Sequence, residues 1–158
     1  MRRWKPSARL LRLGLLLYPP LVGAGIRVKR ISADFREIDV QMKRRWWNVN
    51  YVGTHYGGSL YSMTDPFYML MLLHNLGRDY TVWDKAASIR FRRPGKGTVR
   101  AQFRLTPELL DELRAQLRRQ EKIEPVFVVE VVDDAGEVVA RVEKVIHIRN
   151  KEVRPADG

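Results

Sequence analysis

The chemistry this sequence can offer is concentrated between Asn50 and Asp65, where a side-chain amide, the pair Gly57-Gly58 and a carboxylate follow one another. Glycines at the start of a helix let backbone N–H groups approach a bound molecule and stabilise negative charge developing on a carbonyl oxygen. Each such donor is typically worth about 3 kcal/mol of barrier. A carboxylate two turns further along the same helix can attack the carbonyl or draw a proton from water, and the Asn50 amide can position water or substrate. Plainer readings stand beside these. Asp65-Pro66 has the form of a helix N-cap with proline at the first helical position, paired glycines mark turns, and His55 reads as a loop histidine. If the helix begins at Gly58 instead, Pro66 removes the hydrogen bond to the Ser62 carbonyl at a cost of about 3 kcal/mol, and a kink is expected.

The elements that must position this segment follow from periodicity. Gly25 to Ser32 and Arg36 to Met42 alternate as strands, while Lys43 to Gly53, with Trp46 and Trp47, has no sustained period and reads as a loop. From Ser59 to Leu76 the residues Leu60, Met63, Phe67, Leu70, Met71 and Leu73 follow helical spacing in a run apolar nearly all round, so that helix is buried, with Gly77 as its stop. Val82 to Arg92 and Gly97 to Leu105 read as strands. Simple alternation puts Asp84, Ala86, Ser88, Arg90 and Arg92 on one face of the first and Lys85, Ala87, Ile89, Phe91 and Arg93 on the other. Thr106-Pro107-Glu108 opens a helix to about Gln120, and Pro125 to Arg149 is a long hairpin with Val138, Ala140, Val142, Ile146 and Ile148 largely on one face. The order predicts an α+β domain over 25–150, a six-stranded antiparallel sheet wrapped around one apolar helix. Residues 1–24 are expected to form an amphipathic helix and a Pro-rich turn, and 151–158 a flexible tail.

Composition narrows the functions. The 158 residues, 45% hydrophobic, bury a core without disulfides or metals. No cysteine is present, which excludes a thiol nucleophile and suits a cytoplasmic location. The histidines, His55, His74 and His147, have no metal-ligand spacing, so no metal site is expected. A formal charge of +11 points to a polyanionic partner or a soluble basic surface, but its excess is spread along the chain and no nucleic-acid motif accompanies it. Met1-Arg2-Arg3 before Leu10 to Tyr18 resembles a signal peptide, yet Arg12 interrupts the apolar run and Pro19-Pro20 ends it. An amphipathic helix at about 7–18 lying on the domain is expected ahead of export or anchoring at a membrane surface, with weak membrane-surface contact through it left open.

The element order and the string Gly53-Thr54-His55-Tyr56-Gly57-Gly58-Ser59-Leu60-Tyr61-Ser62-Met63-Thr64-Asp65 resemble the hotdog-fold acyl-CoA thioesterases of the phenylacetate-pathway type. Asn50, Gly57-Gly58 and Asp65 fall at the family's spacings, and Ala87 to Gly97 looks like its third strand and proline turn. Val82 to Ser88 looks closest to a thioesterase-like hotdog subgroup. The resemblance implies hydrolysis of a coenzyme A thioester, with Asp65 as nucleophile or base, Gly57 and Gly58 as oxyanion donors, and His55 and Tyr56 beside the substrate. Arg92, Arg93 and Lys96 around Pro94 can bind the phosphates of coenzyme A, for which arginine is geometrically suited, or form a solvated charge run. No cofactor is implied apart from the coenzyme A of the substrate. Relatives often place a hydroxyl from the partner subunit's third strand where Asp84 stands, so Asp84 would reach the Gly57-to-Asp65 segment across a dimer. Tyr56 replaces the family's His before the glycines and Met69 a hydroxyl residue of some relatives, which leaves open a groove that binds acyl-CoA without turnover. A basic nucleic-acid or membrane-surface protein rests on charge alone. Since a lone sheet leaves a long edge, at least a dimer, and a tetramer aided by the N-terminal helix, is expected.

Overall fold

The computed structural model describes residues 6–151. Twelve elements follow in the order α1 (Ala8–Leu17), α2 (Pro19–Ala24), β1 (Ile26–Ile31), β2 (Glu37–Lys43), α3 (Gly57–Ser62), α4 (Phe67–Leu76), β3 (Tyr80–Phe91), β4 (Thr98–Arg104), α5 (Pro107–Arg119), β5 (Lys122–Ile123), β6 (Val126–Val132) and β7 (Val138–Asn150). The sheet runs β1-β2-β4-β6-β7-β3, antiparallel throughout, and the short β5 pairs with β7 beside this path. Six strands therefore make the expected sheet, and β5 is an addition.

Alternation along the strands decides which face meets the helices. Ile38, Val40 and Met42 of β2, Val99, Ala101 and Phe103 of β4, and Ala140, Val142, Ile146 and Ile148 of β7 are buried together with Phe67, Met71 and Leu72 of α4. Burial of each large side chain here contributes about 1.5–3 kcal/mol. Phe67 and Tyr68 carry the contact onto the sheet, with ring centroids 4.9 Å from Phe103 and 4.7 Å from Phe127 respectively. Thr106 caps α5 by accepting from Leu109 N–H, and its Leu110, Leu113 and Leu117 are buried.

Three departures from simple periodicity bear on the site. The apolar run from Ser59 to Leu76 is two helices. α3 ends at Ser62 and α4 starts after Pro66, which occupies the N-cap position, so Asp65 neither caps α4 nor lies inside a kinked helix. Pro19-Pro20 ends α1 as expected but then starts α2, because proline at the first helical positions gives up an N–H that has no partner there anyway. In β3 the register slips between Asp84 and Ala86, leaving Lys85 as an extra residue opposite β7. Alternation resumes one step out of phase. Val82 and Asp84 pair with Ile148 and Ile146, and beyond the bulge Ala87, Ile89 and Phe91 pair with Lys144, Val142 and Ala140. The expected grouping of Asp84 with Ala86, Ser88, Arg90 and Arg92 is thereby corrected: past the bulge it is the Ala87, Ile89, Phe91 series that shares the inner face with Asp84.

Candidate functional site

A buried ammonium organises the acidic end of the site. Lys144 of β7 is fully buried, and its Nζ lies 3.1 Å from Asp65 Oδ1 and 3.0 Å from Asp84 Oδ1. It also donates to the backbone carbonyl of Asp65, a group that the break between α3 and α4 leaves without a helical partner. The Asp84 contact is an ion pair, and among the described residues the buried Asp84 Oδ1 has no hydrogen-bond partner. Burying the cation is tolerable because both carboxylates surround it, with the Tyr61 ring centroid 5.7 Å from Nζ.

The two carboxylates differ in environment. Asp65 has a half-exposed side chain, and its Oδ1 accepts from the Tyr61 hydroxyl at 2.9 Å as well as from Lys144. Among the described residues nothing donates to its Oδ2. Asp84 is more enclosed, and burial raises its pKa above the usual carboxylate value, opposed by Lys144 and reinforced by the charge of Asp65. Tyr61 is pushed up to about 12 by burial and by its bond to Asp65, so it remains a neutral donor at physiological pH. One oxygen of Asp65 is thus fixed from two sides while the other is free to act on a molecule outside.

The second cluster lines a groove of about 460 Å³ at the start of α3, made by Asn50, Val52, Thr54, His55, Gly57, Leu60 and the run Phe91 to Gly95. Gly57 and Gly58 precede the first intrahelical hydrogen bonds of α3, and among the described residues neither N–H has a backbone acceptor. A Cβ on Gly57 would lie 3.0 Å from Phe91 Cζ, and one on Gly58 would lie 2.5 Å from Tyr56 Cε1, so two aromatic rings rest against a backbone that only glycine leaves open. The Asn50 amide is spent inside its own loop: Nδ2 donates to Thr54 Oγ1 at 2.9 Å, and Oδ1 accepts from Val52 N–H and Thr54 N–H. His55 is buried, its Nε2 3.0 Å from the Gly97 carbonyl. Nε2 therefore carries the proton, and Nδ1 is a buried acceptor without a partner. Burial, foremost, lowers the His55 pKa.

The structure thus divides the residues marked out by the sequence. Asn50, His55, Gly57, Arg92 and Arg93 line one groove, with Gly58 next to it. Asp65 and Asp84 lie at the other end of α3, joined within a single chain by Lys144. Tyr56 and Lys96 are exposed beside the groove rather than among its lining residues, and Arg93 is engaged by Glu137 at 2.8 Å. Lys144 and Tyr61 were not marked out. Lys144 had a visible signal, because it falls on the same alternate positions of β7 as Val142 and Ile146, where a lone cation calls for a buried partner.

This sheet wrapped on a central helix is the hotdog fold, and several of the solved structures that share it are named as thioesterases. A Pseudomonas aeruginosa protein of unknown function, PA5026, described as a probable thioesterase, superposes with a TM-score of 0.79 at 23% identity, covering 92% of this chain and 97% of that one. Thioesterase HI1161 of Haemophilus influenzae gives 0.67 at 13% identity with 96% of both chains covered, and a mutant of thioesterase PA1618 of Pseudomonas aeruginosa gives 0.67 at 12% with 94% and 97% covered. No curated protein matches the sequence. The chain belongs to the family described as a domain of unknown function, DUF4442, whose model matches residues 7–148.

Proposed function

We propose that the protein hydrolyses an acyl-CoA thioester, with Asp65 as nucleophile or general base and the Gly57 and Gly58 N–H groups receiving the carbonyl oxygen. The observation that carries this reading is the Asp65 carboxylate, held through one oxygen by Tyr61 and Lys144 and open at the other. In the general-base form, Asp65 takes a proton from water, the resulting hydroxide adds to the carbonyl carbon, and the C–S bond breaks as the thiolate leaves and is protonated. Coenzyme A enters only as part of the substrate. Its phosphates would meet Arg92 and Lys96, exposed cations with no ion pair among the described residues, more readily than Arg93. The reaction is assigned to the cytoplasm, in keeping with the cysteine-free sequence.

The reacting carbonyl oxygen must lie within about 3 Å of the oxyanion donors while the attacking oxygen, of Asp65 itself or of a water bound to it, reaches the carbonyl carbon. Eight positions separate Gly57 from Asp65, a rise of about 12 Å along an ideal helix, which favours donors and carboxylate from different chains. Among the described residues β3 is a sheet edge, bonded only to β7, and Lys85 to Ser88 at its middle are exposed. Antiparallel self-pairing about Ala87 and Ser88 would set Phe91, which lies over Gly57, opposite the partner subunit's Asp84. The groove of one chain then faces the acidic end of the other. In this dimer Asp65 and Asp84 act from the same chain, and the element shared across subunits is the Gly57 loop.

Thiol release measured over short, medium, long and aromatic acyl-CoAs tests the activity. Release from at least one class is expected, and no release from any overturns hydrolysis. The binding-only reading draws on the Asn50 amide being consumed in its loop. Thermal stabilisation by acyl-CoA without thiol release would favour it.

A further inference from the structure

A second cavity, of about 660 Å³, lies away from the groove, between the helices before β1 and the outer face of the β1–β2 hairpin. Its lining includes Arg27, Lys29, Lys43 and Arg45, together with Leu16 and Trp47, and no carboxylate. The hairpin is polarised. Asp34, Glu37 and Asp39 gather near its turn, where they pair with Arg36 and Arg30, while the open end carries only cations. Sequence reinforces this, for Asp34 is the first acidic residue in the chain. Among the described residues Arg27, Lys29 and Arg45 make no ion pair.

Around this cavity the surface is apolar. α1 is pinned to β1 by Arg12, whose Nε donates to the carbonyls of Val28 and Lys29, and the register slip in β1 falls at Lys29. Fixed in that way, α1 turns Leu10, Leu13 and Leu17 to solvent, with Tyr18 and Val22 continuing the patch. Trp46 is 85% exposed and Trp47 half exposed, and their rings pack edge to face 5.6 Å apart. The turn that carries them is tied to the end of α2 by Asn48, whose Nδ2 donates to the Ala24 carbonyl.

We infer that this surface docks on an anionic phospholipid membrane, with the α1 leucines and the tryptophans entering the interface and the Arg27–Lys29–Lys43–Arg45 cavity receiving phosphate headgroups. Apolar residues, tryptophan and tyrosine ringed by cations are what an interfacial helix needs, and each cation near an anionic surface adds attraction that salt screens. No described helix is long and apolar enough to cross a bilayer, so the contact is peripheral. A second copy is the poorer occupant, because a two-fold contact through this patch would set like charges against one another.

Vesicles of phosphatidylcholine and phosphatidylglycerol in equal parts, and vesicles of phosphatidylcholine alone, are sedimented with the full chain. The protein is expected to sediment with the mixed vesicles at low salt, to come off at about 0.5 M salt, and to stay in solution with the neutral ones. Leu13→Glu with Leu17→Glu, at positions already exposed, should weaken binding at least about tenfold. Arg27→Gln with Lys43→Gln should weaken it without touching the leucines, and this pair decides the matter if circular dichroism shows the first misfolded. Absence of sedimentation, equal binding to both vesicles, or unaltered binding by a folded variant overturns the inference. So does loss of a protein dimer in these variants without any vesicle binding, which would give the face to a second copy.

Discussion

The two ends of α3 are built in opposite ways. The groove end is held by neutral hydrogen bonds between loops: Asn50 closes its own loop onto Thr54, four residues away, and His55 reaches the Gly97 carbonyl in the turn between β3 and β4. The acidic end is assembled across the fold, from a helix junction, an edge strand and Lys144, which stands 79 residues from Asp65. Neutral hydrogen bonds can give way singly while the rest of the domain stands. The buried cation between two carboxylates cannot, because removing it leaves both carboxylates facing a poor solvent for charge.

The sharpest test of that contrast is Lys144→Met. Leaving two carboxylates facing an apolar site should cost about 3–5 kcal/mol in denaturant unfolding. Adding Asp84→Asn to the same chain should return part of the loss, because the enclosed partner then carries no charge. An unfolding midpoint equal to that of the parent would mean that the carboxylates do not depend on Lys144.

Asp65→Asn should lower turnover at least about a hundredfold with little change in melting, since the amide can still accept from Tyr61 and Lys144 but is neither base nor nucleophile. Full activity in a thiol-release assay would remove Asp65 from the chemistry.

Asn50→Ala, which loosens the groove loop, should cost about ten- to a hundredfold. Mixing these chains joins the two ends in one experiment. If one subunit's loop serves the other's Asp65, equal amounts of Asn50→Ala and Asp65→Asn chains, allowed to exchange, should recover about a quarter of the parent turnover. Asp65→Asn mixed with Asp84→Ala should recover nothing, because both lesions fall on one Lys144 centre. Recovery by the second mixture and not the first would reverse the proposed geometry.

The smallest effect concerns pH. His55 is buried and its pKa lies below the ordinary 6.5, so the unfolded chain binds its proton more readily than the folded one. Stability should therefore fall as pH drops below about 6.5, and His55→Gln should flatten that part of the profile. Asp84 works in the other sense. Its raised pKa means that stability is lost as pH climbs above the ordinary carboxylate value of 3.8, and Asp84→Asn should remove that slope.

The same contrast explains what could be read from sequence. The strands, the α5 cap and the glycine pair are local patterns, and β1, β2, β4, β6 and β7 fall within a residue or two of where alternation places them. Asn50 and Gly57 meet in one groove because only seven residues separate them. The helix from Ser59 to Leu76 was harder, since its apolar spacing continues through Met63 although the chain turns there and Pro66 starts a new helix. The faces of β3 could not be read past Asp84, because a bulge leaves no mark in a string such as Lys85-Ala86-Ala87. Lys144 was visible as a cation on an apolar face, but its two partners come from distant elements and follow only from the sheet order.

That bulge gives β3 a spare residue. Shortening the strand by one at Lys85 would restore plain alternation and keep Ala87, Ile89 and Phe91 turned inward, at the cost of the Lys85–Glu124 pair. Lengthening it by one, with pairing otherwise held, would turn Arg90 toward the glycines in place of Phe91. The strand should tolerate deletion at this point far better than insertion, an asymmetry in chain length that no single substitution would reveal.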